Sequence, residues 1–97
     1  MEFEWDENKR QRNIRTRNLD FIQATRLFDG RPTFTYESPR SSEIRWGTVG
    51  LLDIEGKTDF YLAVWTLRSV DTVRIISFYR ADDWEIRAYH ALHGGRH

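Results

Sequence analysis

At 97 residues with fourteen aromatic side chains, the chain is sized for a single domain, 1–97, whose core is built largely from Trp, Phe and Tyr. Fifteen basic residues balance fifteen acidic ones, which argues against a diffuse basic coat, yet thirteen of those bases are arginine, the residue suited to gripping phosphate bidentately. The lack of cysteine excludes a disulfide framework and a thiolate metal site, and no run approaches the roughly 18 apolar residues of a membrane span. A soluble, cytoplasmic protein without a signal peptide is the expectation, with no membrane association.

Phe3–Trp5 reads as a short strand, and Asp6 as the N-cap of a helix over about 7–17. Charge is segregated here: Glu2, Glu4, Asp6 and Glu7 precede Lys9, Arg10, Arg12, Arg15 and Arg17. This order suits the helix dipole, and equally a basic face for nucleic acid or an acidic partner. Asp20 and Gln23 have capping-box spacing ahead of Phe21, Ala24, Leu27 and Phe28, which predicts a second helix ended by Gly30 and Pro32. Thr33–Tyr36 reads as a strand and Glu37–Ser42 as a polar loop.

Ile44–Leu52, Phe60–Leu67 and Thr72–Tyr79 are rich in β-branched and aromatic residues. Short connections, one through Glu55-Gly56 and one over Arg68–Asp71, make them antiparallel hairpins. Gly47 and Gly50 within a strand signal a bulge or a close backbone approach. Asp82 and Glu85 open a last helix to about Leu92, before a loose tail over 93–97. The sum is an α+β fold, with two N-terminal helices and a C-terminal helix on one face of a mostly antiparallel sheet.

An ordered set of residues then resembles the BrnT toxin family. It begins Phe3-Glu4-Trp5-Asp6 with Lys9, Asn13 and Ile14, and continues through Asp20-Phe21, Ala24, Phe28 and Asp29. It resumes at Arg45-Trp46 and Gly50, then Arg74-Ile75-Ile76-Ser77, Arg80-Ala81, Glu85 and Tyr89. The resemblance implies a RelE-like fold and the toxin of a type II toxin–antitoxin system, an RNA-cleaving enzyme that needs no cofactor or metal. It implies as partners RNA and a BrnA-like ribbon-helix-helix antitoxin, with operator DNA reached only through the complex with that antitoxin. Two positions depart from the family pattern. Arg17-Asn18 stands where the family usually has histidine and glycine, and Tyr79 where it commonly has arginine.

In a metal-free ribonuclease of this kind the RNA 2′-hydroxyl attacks the adjacent phosphate, and fixed cations stabilise the charge that gathers on the phosphoryl oxygens. Arg45 and Arg74 are the first candidates for that task, each alternatively a cross-strand ion-pair partner. Arg80 could bind phosphate or pair with Asp82 or Asp83, and Tyr79 could act as acid, base or stacking platform, or lie buried in the sheet. Lys9, Arg17 and Arg68 are candidate RNA contacts, Arg68 from a turn. His90 and His93 share a helix face without a third metal ligand, and His97 falls in the tail; exposed helix histidines are the expectation, with His90 as a possible acid or base. Ser38, Ser41 and Ser42 lack the His and Asp of a serine hydrolase. Trp5, Trp46, Trp65 and Trp84 are mostly expected in the core. Two alternatives stay open: a non-cleaving, antitoxin-binding module that contributes to operon repression, and an unrelated α+β interaction domain.

Overall fold

The structure, a computed structural model, describes residues 1–38 and 42–94. Ser41 and the last part of the tail, Gly95 to His97, lie outside the described residues.

Local chemistry starts and stops the helices. The Asp6 carboxylate accepts the N–H groups of Asn8 and Lys9 and opens α1 (Glu7–Arg17). Asn18 ends it in the left-handed conformation, φ 57°, with its N–H donating to Ile14 O. Asparagine accepts that geometry because its side chain is short and polar, so it does here what glycine does elsewhere. Asp20 and Gln23 form the expected reciprocal capping box and open α2 (Phe21–Ala24). The longer helix expected here is instead one α-turn followed by a 3-10 turn, Thr25–Phe28. The Thr25 hydroxyl donates back to Ile22 O, and the chain tightens before Gly30, φ 96°, releases it.

Five strands follow the order β1-β5-β4-β3-β2 across one sheet: β1 (Glu2–Glu4), β2 (Phe34–Ser38), β3 (Arg45–Ile54), β4 (Lys57–Ser69) and β5 (Thr72–Arg80). Only β1 runs parallel to its neighbour; every other pair is antiparallel. Glu37 and Ser38, expected in a loop, extend β2 opposite Trp46 and Arg45. Arg68 belongs to β4, because the β4–β5 connection narrows to Val70-Asp71. Glu55 and Gly56 both take positive φ, 54° and 81°, which matches a two-residue hairpin to the twist of β3 and β4.

The pleat sends alternate residues to two faces. One face carries Leu52, Ile54, Tyr61, Ala63, Ile75 and Phe78, and these pack on Phe21, Ala24 and Leu27 as the main core. The other carries Val49 and Leu62, which pack on Tyr89 of α3 (Asp83–His93). Helices therefore lie on both faces, which corrects the expectation of helices on one. Val49 and Leu62 alternate with the main-core positions, so the second face is also apolar and must also be covered. α3 packs over β2, β3 and the Phe60–Leu62 end of β4, away from the end of that face that carries Arg45, Thr66 and Arg74. Buried Asn13 ties α1 to β5: its Nδ2 donates to both Leu19 O and Phe78 O at 2.9 Å.

Candidate functional site

The open half of the α3 face is a polar strip with arginine at both ends. Trp46 pairs with Trp65, so one step earlier in register Arg45 stands beside Thr66; Thr66 pairs with Arg74, and Arg74 with Glu4. Trp65 and Ile75 pack into the main core, hence Arg45, Thr66 and Arg74 point the other way. Two strand spacings separate the arginines, about 10 Å between backbones, a span that one or two nucleotides cover.

Each arginine has a partner. Arg74 and Arg68 both bond Glu4 Oε2, at 2.8 and 2.9 Å, so one carboxylate faces two guanidinium groups. Arg45 Nε lies 3.1 Å from Glu43. The cross-strand ion pair is thus realised for Arg74, whereas Arg45 pairs locally with Glu43; both pairs are partly exposed, where such contacts contribute little.

Beside this strip, a cleft of about 630 Å³ is lined by Tyr36, Arg45, Ser77, Tyr79, Trp84 and Glu85. Tyr36 lies flat over Gly47: a Cβ there would fall 2.7 Å from its ring. Its hydroxyl donates to Glu85 in a short hydrogen bond. Burial first, and the neighbouring carboxylate second, push the Tyr36 phenol above its ordinary range, so it stays neutral at physiological pH. Glu85 is only 2% exposed, whereas Trp84 next to it is 46% exposed and meets the Tyr36 ring edge-on at 4.9 Å.

Tyr79 is half-buried and central. It lines this cleft, a smaller hollow with Lys9, Arg12 and Arg17, and a larger one of about 850 Å³ with Arg17, Lys57 and Arg80. The Arg17 guanidinium sits 4.7 Å above its ring. Arg17 and Tyr79, 62 positions apart in the chain, are therefore in contact.

Arg80 points to the opposite face, as strand alternation requires, and pairs with Asp59 rather than with Asp82 or Asp83. It lines the larger hollow only, which lacks Arg45; Arg74 lines neither that hollow nor the cleft. The larger hollow has no buried charge comparable to Glu85, so the smaller cleft beside the arginine strip is the stronger candidate. Lys9, Arg17, Arg68 and Arg74 do not line it: Lys9 and Arg17 line the hollow that shares Tyr79 with it, and Arg68 and Arg74 pair with Glu4.

His90 and His93 are placed elsewhere. His90, expected exposed, is half-buried with its ring 5.2 Å from Phe60, and His93 Nε2 lies 2.8 Å from Thr33 O. Among the described residues no three His, Asp or Glu side chains are grouped as metal ligands. Sequence reasoning missed Tyr36, and it singled out Glu85 as a helix cap and as part of the family pattern without giving it a site role. Nothing local links Glu85 to a tyrosine 49 positions earlier.

Fold and cleft together define an α+β domain with an arginine-bearing sheet face. Residues 5–85 match the family model of the ribonuclease toxin BrnT of type II toxin–antitoxin systems, and the chain belongs to that family. This membership closes the alternative of an unrelated interaction domain. The fold is similar to the 1.1 Å crystal structure of the Brucella abortus ribonuclease toxin BrnT, with a TM-score of 0.64 and 24% identity over 86% of this chain and 99% of that one. No curated protein sequence matches the chain.

Proposed function

We propose that this protein is an endoribonuclease that cleaves RNA through attack of the 2′-hydroxyl on the neighbouring phosphate, slowing translation and growth in the cytoplasm until a BrnA-like ribbon-helix-helix antitoxin covers the cleft. The observation that carries this reading is Arg45 and Arg74 on one sheet face, beside a cleft lined by Arg45 and Tyr79, with Arg17 over the Tyr79 ring. Guanidinium groups held there meet the charge that develops on the phosphoryl oxygens, and Trp84 offers an exposed ring for an unpaired base. Operator DNA is met through the antitoxin in this scheme, and the toxin domain spans 1–97.

The test is incubation of antitoxin-free protein with RNA. Arg45→Ala and Arg74→Ala are each expected to slow cleavage by about 10²–10³, the usual loss for one preorganised donor. A folded wild type that leaves RNA intact overturns the reading. A second reading, an antitoxin-binding module without cleavage, is favoured by one observation: Arg45 and Arg74 are both already ion-paired. Expression without antitoxin separates the two, since only the enzyme arrests growth.

A further inference from the structure

Glu85 is the one Asp or Glu among the described residues that is buried. Among the described residues it forms no ion pair, although it is 2% exposed and lies against a cleft bordered by arginine. Glutamate is almost never buried in this way without a charged partner, and such a group beside a cleft marks a functional candidate. Its two oxygens have separate work. Oε1 accepts the Asp82 N–H at 2.7 Å and closes the first turn of α3. Oε2 has no part in that cap and accepts the Tyr36 hydroxyl.

Tyr36 is fixed as few surface tyrosines are. Gly47 lies under its ring, Trp84 meets it at 4.9 Å and Phe34 stacks at 5.8 Å. With its proton directed to Glu85, its oxygen keeps lone pairs free to accept from a group in the cleft. Neither arginine can take a proton near neutral pH. Tyr79 has no carboxylate bonded to its hydroxyl among the described residues, and neither His90 nor His93 lines the cleft.

We propose that Tyr36 and Glu85 form a proton relay that deprotonates the attacking 2′-hydroxyl of RNA, an inference that rests on the ribonuclease reading above. The 2′-hydroxyl proton passes to Tyr36 Oη as the phenolic proton moves to Glu85 Oε2. The O2′–P bond forms, the P–O5′ bond breaks, and the departing 5′-oxygen takes a proton from water. The hydroxide left behind recovers the proton from Glu85 through Tyr36. The products are a 2′,3′-cyclic phosphate and a 5′-hydroxyl, with no net proton change.

The test uses the antitoxin-free protein and its Glu85→Gln, Tyr36→Phe and doubly substituted forms. Each is melted, titrated with an RNA lacking the 2′-hydroxyl at the scissile position, and assayed for cleavage. The relay predicts melting and binding close to wild type and cleavage slower by about 100-fold or more, with the double variant no slower than either single one. Tyr36→Phe leaves the capping oxygen of Glu85 in place, so it decides the matter if Glu85→Gln does not fold. An RNA with sulfur in place of the scissile 5′-oxygen adds a readout that a structural role leaves unmoved, because its leaving group needs no proton. The variants are expected to stay slow on it; recovery to the wild-type rate assigns the pair to the leaving group and overturns the relay. Variants that cleave like wild type, or that lose cleavage only in step with binding, also overturn it while the ribonuclease reading stands. A wild type that cuts no RNA overturns both.

Discussion

Gly47 is glycine because the Tyr36 ring occupies the space a side chain would fill. Gly47→Ala is expected to force that ring off its seat, lowering stability by about 1–3 kcal/mol as overpacking does. A thermal melt checks the first effect. The same displacement separates Tyr36 from Glu85, so cleavage should fall further than the loss of folded protein explains. A strand glycine was visible in the sequence as a site of close approach, but its neighbour was not. Tyr36 and Gly47 become partners only when β2 pairs with β3. Arg17 and Tyr79 tell the same story, since two residues 62 positions apart in the chain meet only when α1 packs beside β5.

At the scale of elements, the capping residues act both locally and at a distance. Asp20 caps α2 and also receives Arg10 of α1 through two bonds, at 2.8 and 2.9 Å. The Arg10 guanidinium, ahead of the Ile22 N–H, holds the Asp20 carboxyl below its ordinary range. A carboxyl depressed in the folded state adds stability above its unfolded pKa and loses it as pH falls through the folded value. Arg10→Ala is therefore expected to lower stability at pH 7, where the Asp20 carboxylate is charged. The difference from wild type should shrink below about pH 4. Urea titrations at pH 7 and pH 3 check the sign; a difference that persists at pH 3 would move the effect from charge to packing. α3 shows the other aspect, because the capping box that starts it delivers Glu85 to the cleft.

On the scale of the whole molecule, zero net charge and a local arginine strip make a distinct prediction for binding. A neutral protein with roughly three phosphate contacts, from Arg45, Arg74 and Arg17, should show a salt slope of about −2 in log affinity for single-stranded RNA. Titration of a cleavage-blocked RNA across ionic strength measures it. A slope near zero would remove the arginine strip from the binding surface. A steep slope would bring in Lys9, Arg12 and the larger hollow with Lys57 and Arg80.

The sequence by itself determined what depends on near neighbours: the Asp6, Asp20 and Asp82 helix starts, the Glu55-Gly56 hairpin and the order of strands and helices. It also carried the family, because an ordered set of residues survives as a pattern along the chain. Which face each helix covers was decided only in three dimensions, because strand alternation shows that two faces differ without showing what packs on either. The candidate site belongs to that second kind. Arg45, Arg74 and Glu4 meet across three strand pairings, and Tyr36 meets Glu85 across the sheet and a helix. Contacts of that kind are set by the pairing register and by burial, which no local spacing encodes.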